Sequence, residues 1–427
     1  MMLSSPLSSE VVSSDSPVIV GLGGSAGALN ALTAFFDALP DQPDEAFVVV
    51  LHIPDDEESN LAEILSAHTS MPVQQVNEPV EVEPNHVYVT APGRALTLEN
   101  YRLTPVEFSQ TDGRRAPIDQ FFRSLAQHGA ATVCVVLSGS SSDGTVGLRA
   151  IEEAGGLVAA QDPNEAEYDM MPRSAMQMGR VDLIMPVDQL AERISEQRRL
   201  LDNLTTSFEP EAAENQETSL LQDIFKQVRS YTGHDFSEYK ESTMRRRVQR
   251  RMQVNQVASL SDYVEFLRDH PEEINALQKD LLISVTSFFR DPESFKTLKK
   301  RVVPTLFEGK STEDELRAWV VGTATGEEAY SLAFLLLEEA RSRKIVPETI
   351  QVFATDIDEA ALNSARKGIY PEPIAADVPE PYLDRYLVKE GTRYRVRAPV
   401  REHVLFTPHN LLPDPPFSKL DLISCRN

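Results

Sequence analysis

The stretch Val18-Ile19-Val20-Gly21-Leu22-Gly23-Gly24-Ser25-Ala26-Gly27 decides how the first part of this 427-residue chain is read. A β-branched run opens it, a glycine-rich turn follows, and a hydroxyl side chain sits in the turn. The run is apolar without alternation, the pattern of a strand buried on both faces. Similar runs recur at Phe47-Val48-Val49-Val50-Leu51, Val87-Tyr88-Val89 and Thr132-Val133-Cys134-Val135-Val136-Leu137, with helical stretches between them. From Ser16 to about Glu196 this alternation predicts an α/β domain, a doubly wound parallel sheet covered by helices on both faces.

A second strand-to-loop junction, Trp319-Val320-Val321-Gly322-Thr323-Ala324-Thr325-Gly326-Glu327-Glu328, is followed by Ala354-Thr355-Asp356-Ile357-Asp358. It predicts that strand-helix alternation returns from about Thr286. Between the two regions the period changes: Leu221, Ile224, Phe225 and Val228 fall on one face of a helix. Asp235 with Glu238 and Ser259 with Asp262 have capping-box spacing. His270-Pro271 ends one helix, and Ile274, Leu277 and Leu281 mark the next. The expected organisation is a leader (1–16), an α/β domain (17–195), an acidic linker (196–217), a small all-α domain (218–285) and a second α/β domain (286–427). Leu420 to Asn427 reads as a strand with no helix after it, so the last domain is expected to be incomplete and the chain a piece of a longer protein.

With 66 acidic against 41 basic residues and a formal net charge of -25, the chain is not expected to bind nucleic acid or an anionic membrane. Its two cysteines cannot build a disulfide framework, which fits a reducing cytoplasm. Met1 to Ser16 lacks the basic and apolar regions of a signal peptide. No apolar run approaches the ~20 residues that span a bilayer, so direct membrane insertion is not expected.

Three chemistry-bearing residues follow strands whose carboxyl ends should lie together in an open parallel sheet. Ser25 follows the first strand, His52 the second, and Asp143 lies in Ser138-Gly139-Ser140-Ser141-Ser142-Asp143-Gly144 after Thr132 to Leu137. A serine hydroxyl becomes a nucleophile when a base takes its proton and a third group orients that base. Ser25 as nucleophile, His52 as base and Asp143 as orienting carboxylate fit those roles, with backbone N–H groups of the glycine-rich loops as an oxyanion hole. Other readings stay open. Gly21 to Ala26 fits the dinucleotide fingerprint G-x-G-x-x-A, although the second strand ends in His52 rather than an acidic residue. On that reading the chain is a nucleotide-dependent oxidoreductase. Asp143 could also cap a helix beginning near Thr145.

At the second junction, a loop after one strand and Asp356 after the next supply what a bound nucleoside needs. The alternative is structural, since Thr325 with Glu328 and Asp356 with Glu359 have capping-box spacing. Met244-Arg245-Arg246-Arg247-Val248-Gln249-Arg250-Arg251 places a basic run on a helix, either a solvated face or a dock for an acidic partner.

Residues 17 to 195 resemble the catalytic domain of the chemotaxis protein-glutamate methylesterases. The likeness rests on Gly23-Gly24-Ser25-Ala26-Gly27, Leu51-His52-Ile53-Pro54, Leu137 to Gly144, Gln161-Asp162-Pro163 and Met171-Pro172-Arg173. It implies the triad Ser25, His52 and Asp143, with no cofactor. The family often has Gln where Leu51 stands and Gly where Ala28 stands, and control by its phosphorylatable receiver domain within this chain is not expected, since only a short Ser-rich leader precedes Val18. Residues 218 to 427 resemble the chemotaxis receptor-glutamate methyltransferases, through Ser284 to Asp291, Thr325 to Ser331, Ala354 to Asp358, Asn410-Leu411-Leu412 and Cys425-Arg426-Asn427. That likeness implies S-adenosyl-L-methionine as cofactor, contacted by Thr286, Arg290, Glu328, Asp356, Asn410, Leu411 and Asn427. It also implies that Arg245, Arg246, Arg247, Arg250 and Arg251 face glutamate-bearing cytoplasmic helices of chemoreceptors. Ala329 and Ser284 depart from the family's usual Pro and Asn, and the family runs on past Cys-Arg-Asn. Together the two likenesses imply a bifunctional cytoplasmic enzyme without a metal site. The alternative is a signalling scaffold whose degenerate domains bind receptor helices without turnover.

Overall fold

A computed structural model describes residues 17–51, 60–107, 116–178, 181–196, 212–237, 239–282, 286–310, 314–345, 349–411 and 414–426. The chain divides into two compact units. The first comprises Met1–Phe108, Pro117–Ser140 and Ala150–Gln278; the second comprises Ser109–Ala116, Ser141–Arg149 and Lys279–Asn427.

The first unit is built on β1 (Ile19–Gly24), α1 (Ala28–Ala38), β2 (Ala46–Leu51), α2 (Leu61–Ser66), β3 (Val73–Val76), β4 (Val80–Glu81), β5 (His86–Thr90), β6 (Arg94–Glu99), β7 (Arg102–Glu107) and α3 (Pro117–Leu125). There follow β8 (Thr132–Val136), α4 (Thr145–Ala154, of which Thr145 to Arg149 cluster with the second unit), β9 (Leu157–Gln161), α5 (Met170–Met178), β10 (Leu183–Met185) and α6 (Val187–Ser195). Seven strands form a parallel sheet in the order β10-β9-β8-β1-β2-β5-β3. The four strands read from the sequence are β1, β2, β5 and β8, and β1 and β8 are buried along their whole length. The chain leaves β1 toward β2 on one side and returns to β8 on the other. The carboxyl ends of β1 and β8 thus meet at the switch point, where open α/β sheets bind ligands. A small antiparallel sheet, β4-β7-β6, lies outside the expected pattern.

The helical module contains α7 (Ala212–Thr232), α8 (Glu241–Val254), α9 (Leu260–Asp269) and α10 (Pro271–Leu281). Helix α7 starts six residues inside the expected linker, and its Leu221, Ile224 and Val228 face is buried. Ser259 caps α9 by accepting from Asp262 N at 3.2 Å, as its spacing predicted. Glu238 lies outside the described residues; Asp235 accepts from Ser237 N at 3.0 Å and pairs with Arg229.

The helical module and the seven-stranded sheet belong to one compact unit rather than two domains on a tether, and α8 is the reason. Arg250 is fully buried and pairs with Asp182, beside β10, at 2.6 Å; it also donates to Gly156 O at 3.3 Å. Arg247 donates to Glu152 O and Glu153 O at 2.6 and 3.0 Å, the last-turn carbonyls of α4. In return Arg193 of α6 donates to Gln253 O and Val254 O at 2.9 and 3.0 Å, the end of α8. A cation at a helix carboxyl terminus satisfies orphaned carbonyls and complements the dipole, and each module caps a helix of the other this way.

The second unit contains α11 (Pro292–Thr297), α12 (Val303–Leu306), β11 (Leu316–Val321), α13 (Glu327–Arg343), β12 (Ile350–Asp356), α14 (Glu359–Lys367), β13 (Ile369–Pro371), α15 (Glu380–Tyr386), β14 (Leu387–Glu390), β15 (Arg393–Val396), α16 (Ala398–Arg401), β16 (Val404–Pro408) and β17 (Leu422–Cys425). Its parallel sheet runs β16-β12-β11-β17, the 3-2-1-4 order of a doubly wound fold. Strands β13-β15-β14 form a separate antiparallel sheet. Helix α13 packs Tyr330, Phe334 and Leu336 into an aromatic-rich core with Phe288, Tyr370 and Tyr386. Among the described residues no helix is long and apolar enough to cross a membrane.

Candidate active site and cofactor site

Ser25 leaves the end of β1 half-buried, in a turn fixed from both sides. Its amide donates to Ser138 O at 3.0 Å, and its carbonyl accepts from Ala28 N at 3.0 Å. The β8 loop that holds it is itself braced. Ser138 N donates to Gln161 Oε1 at 2.9 Å, and Ser138 Oγ donates to Ala26 O at 2.9 Å while accepting from Tyr168 N. Gly139 lies so close that a Cβ there would stand 3.2 Å from Ser25 Cβ and 2.0 Å from Met171 Sδ. Ser138 and Gln161 were not singled out from the sequence as positioning residues. The available signal was Gln161 itself, a polar residue at the end of a fully buried strand.

Asp143 is buried in the loop that begins at Ser138, and its Oδ1 accepts from Gly144 N at 2.8 Å. His52 lies outside the described residues; β2, which precedes it, ends at Leu51 beside Gly24 in the register of β1. The nearby thiol offers no rival nucleophile, because Cys134 is fully buried in β8 and that burial pushes its pKa well up.

Gly27 is the residue on which the Ser25 turn depends. It begins α1 at φ 71°, and a Cβ there would stand 2.8 Å from both Ser138 Oγ and Glu167 Cβ. Gly27→Ala is expected to lose about 1–2 kcal/mol from the left-handed backbone, with the contacts adding to it. Urea unfolding together with the hydrolysis rate checks this, and a variant with unchanged stability and rate would contradict it.

In the second unit the loop after β11 wraps the end of β12. Asp356 accepts from Ala324 N at 2.8 Å and Asp358 N at 2.9 Å. Both helix caps foreseen as alternatives belong to other residues: Gly326, at φ 94°, begins α13, and Asp358 caps α14 by accepting from Ala360 N and Ala361 N. Asp356 is thereby left to face the loop. Burial raises its pKa above the ordinary value, against the downward pull of the amides it accepts from.

The end of β17 gathers the other residues. Ser424 Oγ donates to Glu328 Oε1 at 2.6 Å, and Arg426 Nη1 donates to Arg290 O at 2.8 Å. Asn410 follows β16, its amide bound to Asp414 at 2.7 Å, and His409 N donates to Asp356 O at 3.0 Å. Thr286 is half-buried and Leu411 exposed, while Asn427 lies outside the described residues. Left-handed backbone at Phe289, Asp291, Gly322, Ala324 and Gly326 concentrates in the same loops, as it often does at functional sites. Two features fit a bound nucleoside. Thr323 Oγ1 is buried with no hydrogen-bond partner among the described residues, and the space beside Gly322 is open.

The basic run is only partly offered to an outside partner. Arg246 is exposed, but Arg247 and Arg250 are buried against the sheet, 2% and 0% exposed. Arg245 pairs with Glu217 and Glu241, and Arg251 makes a fork with Glu273 at 2.8 and 2.5 Å. The expectation that all five face a receptor therefore fails for Arg247 and Arg250 in this arrangement. Their partners are backbone carbonyls and one carboxylate far away in sequence.

Comparison with known proteins matches three segments of the chain to family descriptions. Residues 20–194 match the CheB methylesterase family, residues 219–282 the all-alpha domain of CheR methyltransferases, and residues 284–427 the CheR S-adenosylmethionine-binding domain. A 104.1 kDa protein of Rhodobacter capsulatus is 37% identical over 392 residues, 86% of this chain, which spans 40% of that protein's length. A chemotaxis protein methyltransferase of Borreliella burgdorferi is 32% identical over 48% of this chain and 75% of its own length. A putative protein-glutamate methylesterase/protein-glutamine glutaminase of Leptospira interrogans is 31% identical over 40% of this chain and 90% of its own. The crystal structure of the Thermotoga maritima CheB methylesterase catalytic domain aligns at 27% identity with a TM-score of 0.39, over 42% of this chain and 98% of that one. The chain belongs to the CheB methylesterase family over residues 20–194 and to the CheR methyltransferase family over residues 219–282 and 284–427.

Proposed function

We propose that the first domain hydrolyses glutamate γ-methyl esters on the cytoplasmic helices of chemoreceptors, with Ser25 as nucleophile, and that the second methylates glutamates on the same receptors. The observation that carries the esterase reading is the fixed Ser25 turn at the switch point between β1 and β8. Ser25 Oγ attacks the ester carbonyl as His52 takes its proton, and Asp143 orients the imidazole. Collapse of the tetrahedral adduct breaks the C–O bond to methoxide, which leaves as methanol with the proton from His52. Water, deprotonated by His52, then attacks the acyl-enzyme and releases the glutamate carboxylate and the Ser25 hydroxyl.

In the second domain Thr286, Arg290, Glu328, Asp356, Asn410, Leu411 and Asn427 would hold S-adenosyl-L-methionine. That group supplies an electrophilic methyl when bound. Asp356 accepts from the ribose hydroxyls, and the Gly322–Gly326 loop leaves room for the nucleoside. Because burial raises the Asp356 pKa, its carboxylate protonates at a higher pH than an ordinary Asp. Cofactor affinity is therefore expected to fall as pH drops toward the carboxylate range, and earlier than a free Asp would dictate. Asp356→Asn should bind weakly with a flat pH profile. Titration calorimetry across pH checks this, and equal pH dependence in both proteins would contradict it.

The test of the esterase reading is methanol release from a methyl-esterified receptor cytoplasmic fragment. Release by the wild type that vanishes in Ser25→Ala supports it; release retained by that variant refutes it.

A further inference from the structure

We infer that α8 is a latch: the methylesterase module and a glutamate-bearing helix compete for the same arginines, so the all-α module engages its partner only after α8 leaves the sheet. The inference rests on the receptor reading above and adds a regulatory contact to it. Arg250 is fully buried on Asp182, and Arg247 is buried on the carboxyl end of α4. A guanidinium so placed has its donors turned to protein acceptors, and an incoming carboxylate cannot reach it without displacing them. The closed latch thus withholds two of the five arginines, while Arg245 and Arg251 already neutralise acidic neighbours.

The grip is also built from the esterase side. Arg193 caps the end of α8, and Gln256 just beyond that end donates to Glu196 at 2.6 Å. A mere packing contact between modules would not need each to satisfy the other's helix end. Opening exposes carbonyls on both sides as well as a buried charge pair, so a carboxylate-rich helix that compensates Arg247 and Arg250 is the chemistry able to hold the open state.

The test uses the full chain with Asp182→Ala and, separately, Arg193→Ala, both outside α8 so that its arginines remain. Hydrogen exchange reads the latch, and fluorescence anisotropy reads binding of a chemoreceptor cytoplasmic fragment with unesterified glutamates. In both variants α8 amides are expected to exchange at least tenfold faster while β1 and β8 stay protected, and the fragment to bind at least fivefold tighter. Unchanged exchange in α8, or faster exchange without tighter binding, would overturn the latch. If the wild type still hydrolyses the methyl-esterified fragment in those cases, the receptor reading stands and only the latch falls. A fragment neither bound nor hydrolysed by any form sinks that reading and the latch together.

Discussion

Replacing Ser25 by Ala is expected to lower ester hydrolysis by about 10⁴-fold or more while leaving the fold intact. The size follows from losing the nucleophile itself, because what remains is binding and oxyanion stabilisation acting on water. The intact fold follows from the way the residue is held. The hydrogen bonds that fix the turn, Ser25 N to Ser138 O and Ala28 N to Ser25 O, belong to the backbone, and alanine keeps both. Stability should therefore stay within about 0.5 kcal/mol of wild type. A variant that retains a tenth of the rate would place the nucleophile elsewhere.

Arg250→Ala is expected to destabilise the first unit by about 3–5 kcal/mol, the largest stability effect foreseen for a single substitution here. Its partner Asp182 has a side chain only 2% exposed, so the variant leaves a carboxylate in the interior without its counter-charge. Asp182 still accepts from Val158 N at 2.9 Å, which holds it in place and prevents an easy escape to solvent. Removing both charges is different. Arg250→Met with Asp182→Leu should recover much of the loss, since burying two apolar groups avoids the desolvation that the pair requires. Urea midpoints of the single and double variants give the comparison, and a single variant within about 1 kcal/mol of wild type would show that the pair is not closed in solution.

Strands β1, β2, β5 and β8 were readable because burial on both faces writes a continuous apolar run. Strands β4, β6 and β7 were not, because Val80–Glu81 is two residues long and Arg94–Glu99 and Arg102–Glu107 mix charge with apolar side chains. Capping boxes show the limit of spacing as a signal. Ser259 caps its helix by accepting from Asp262 N, yet Thr325 donates to Glu327 at 2.6 Å and Asp356 turns to a loop amide. Spacing fixes which residues can meet on one turn, but not whether a nearer glycine in the left-handed region begins the helix instead. The arginine run was legible as a helix and illegible as a latch. Carbonyl acceptors such as Glu152 O and Gly156 O belong to every residue and leave no mark in sequence. Ser25 and Asp356 were legible because both sit where a strand hands over to a loop, the place a parallel sheet offers for chemistry.

The most direct test of the central claim is mass spectrometry of a methyl-esterified chemoreceptor cytoplasmic fragment incubated with the wild-type chain. The expected result is that each affected glutamyl side chain loses one methylene and methanol appears in equal amount. Intact esters after incubation with folded protein would contradict it.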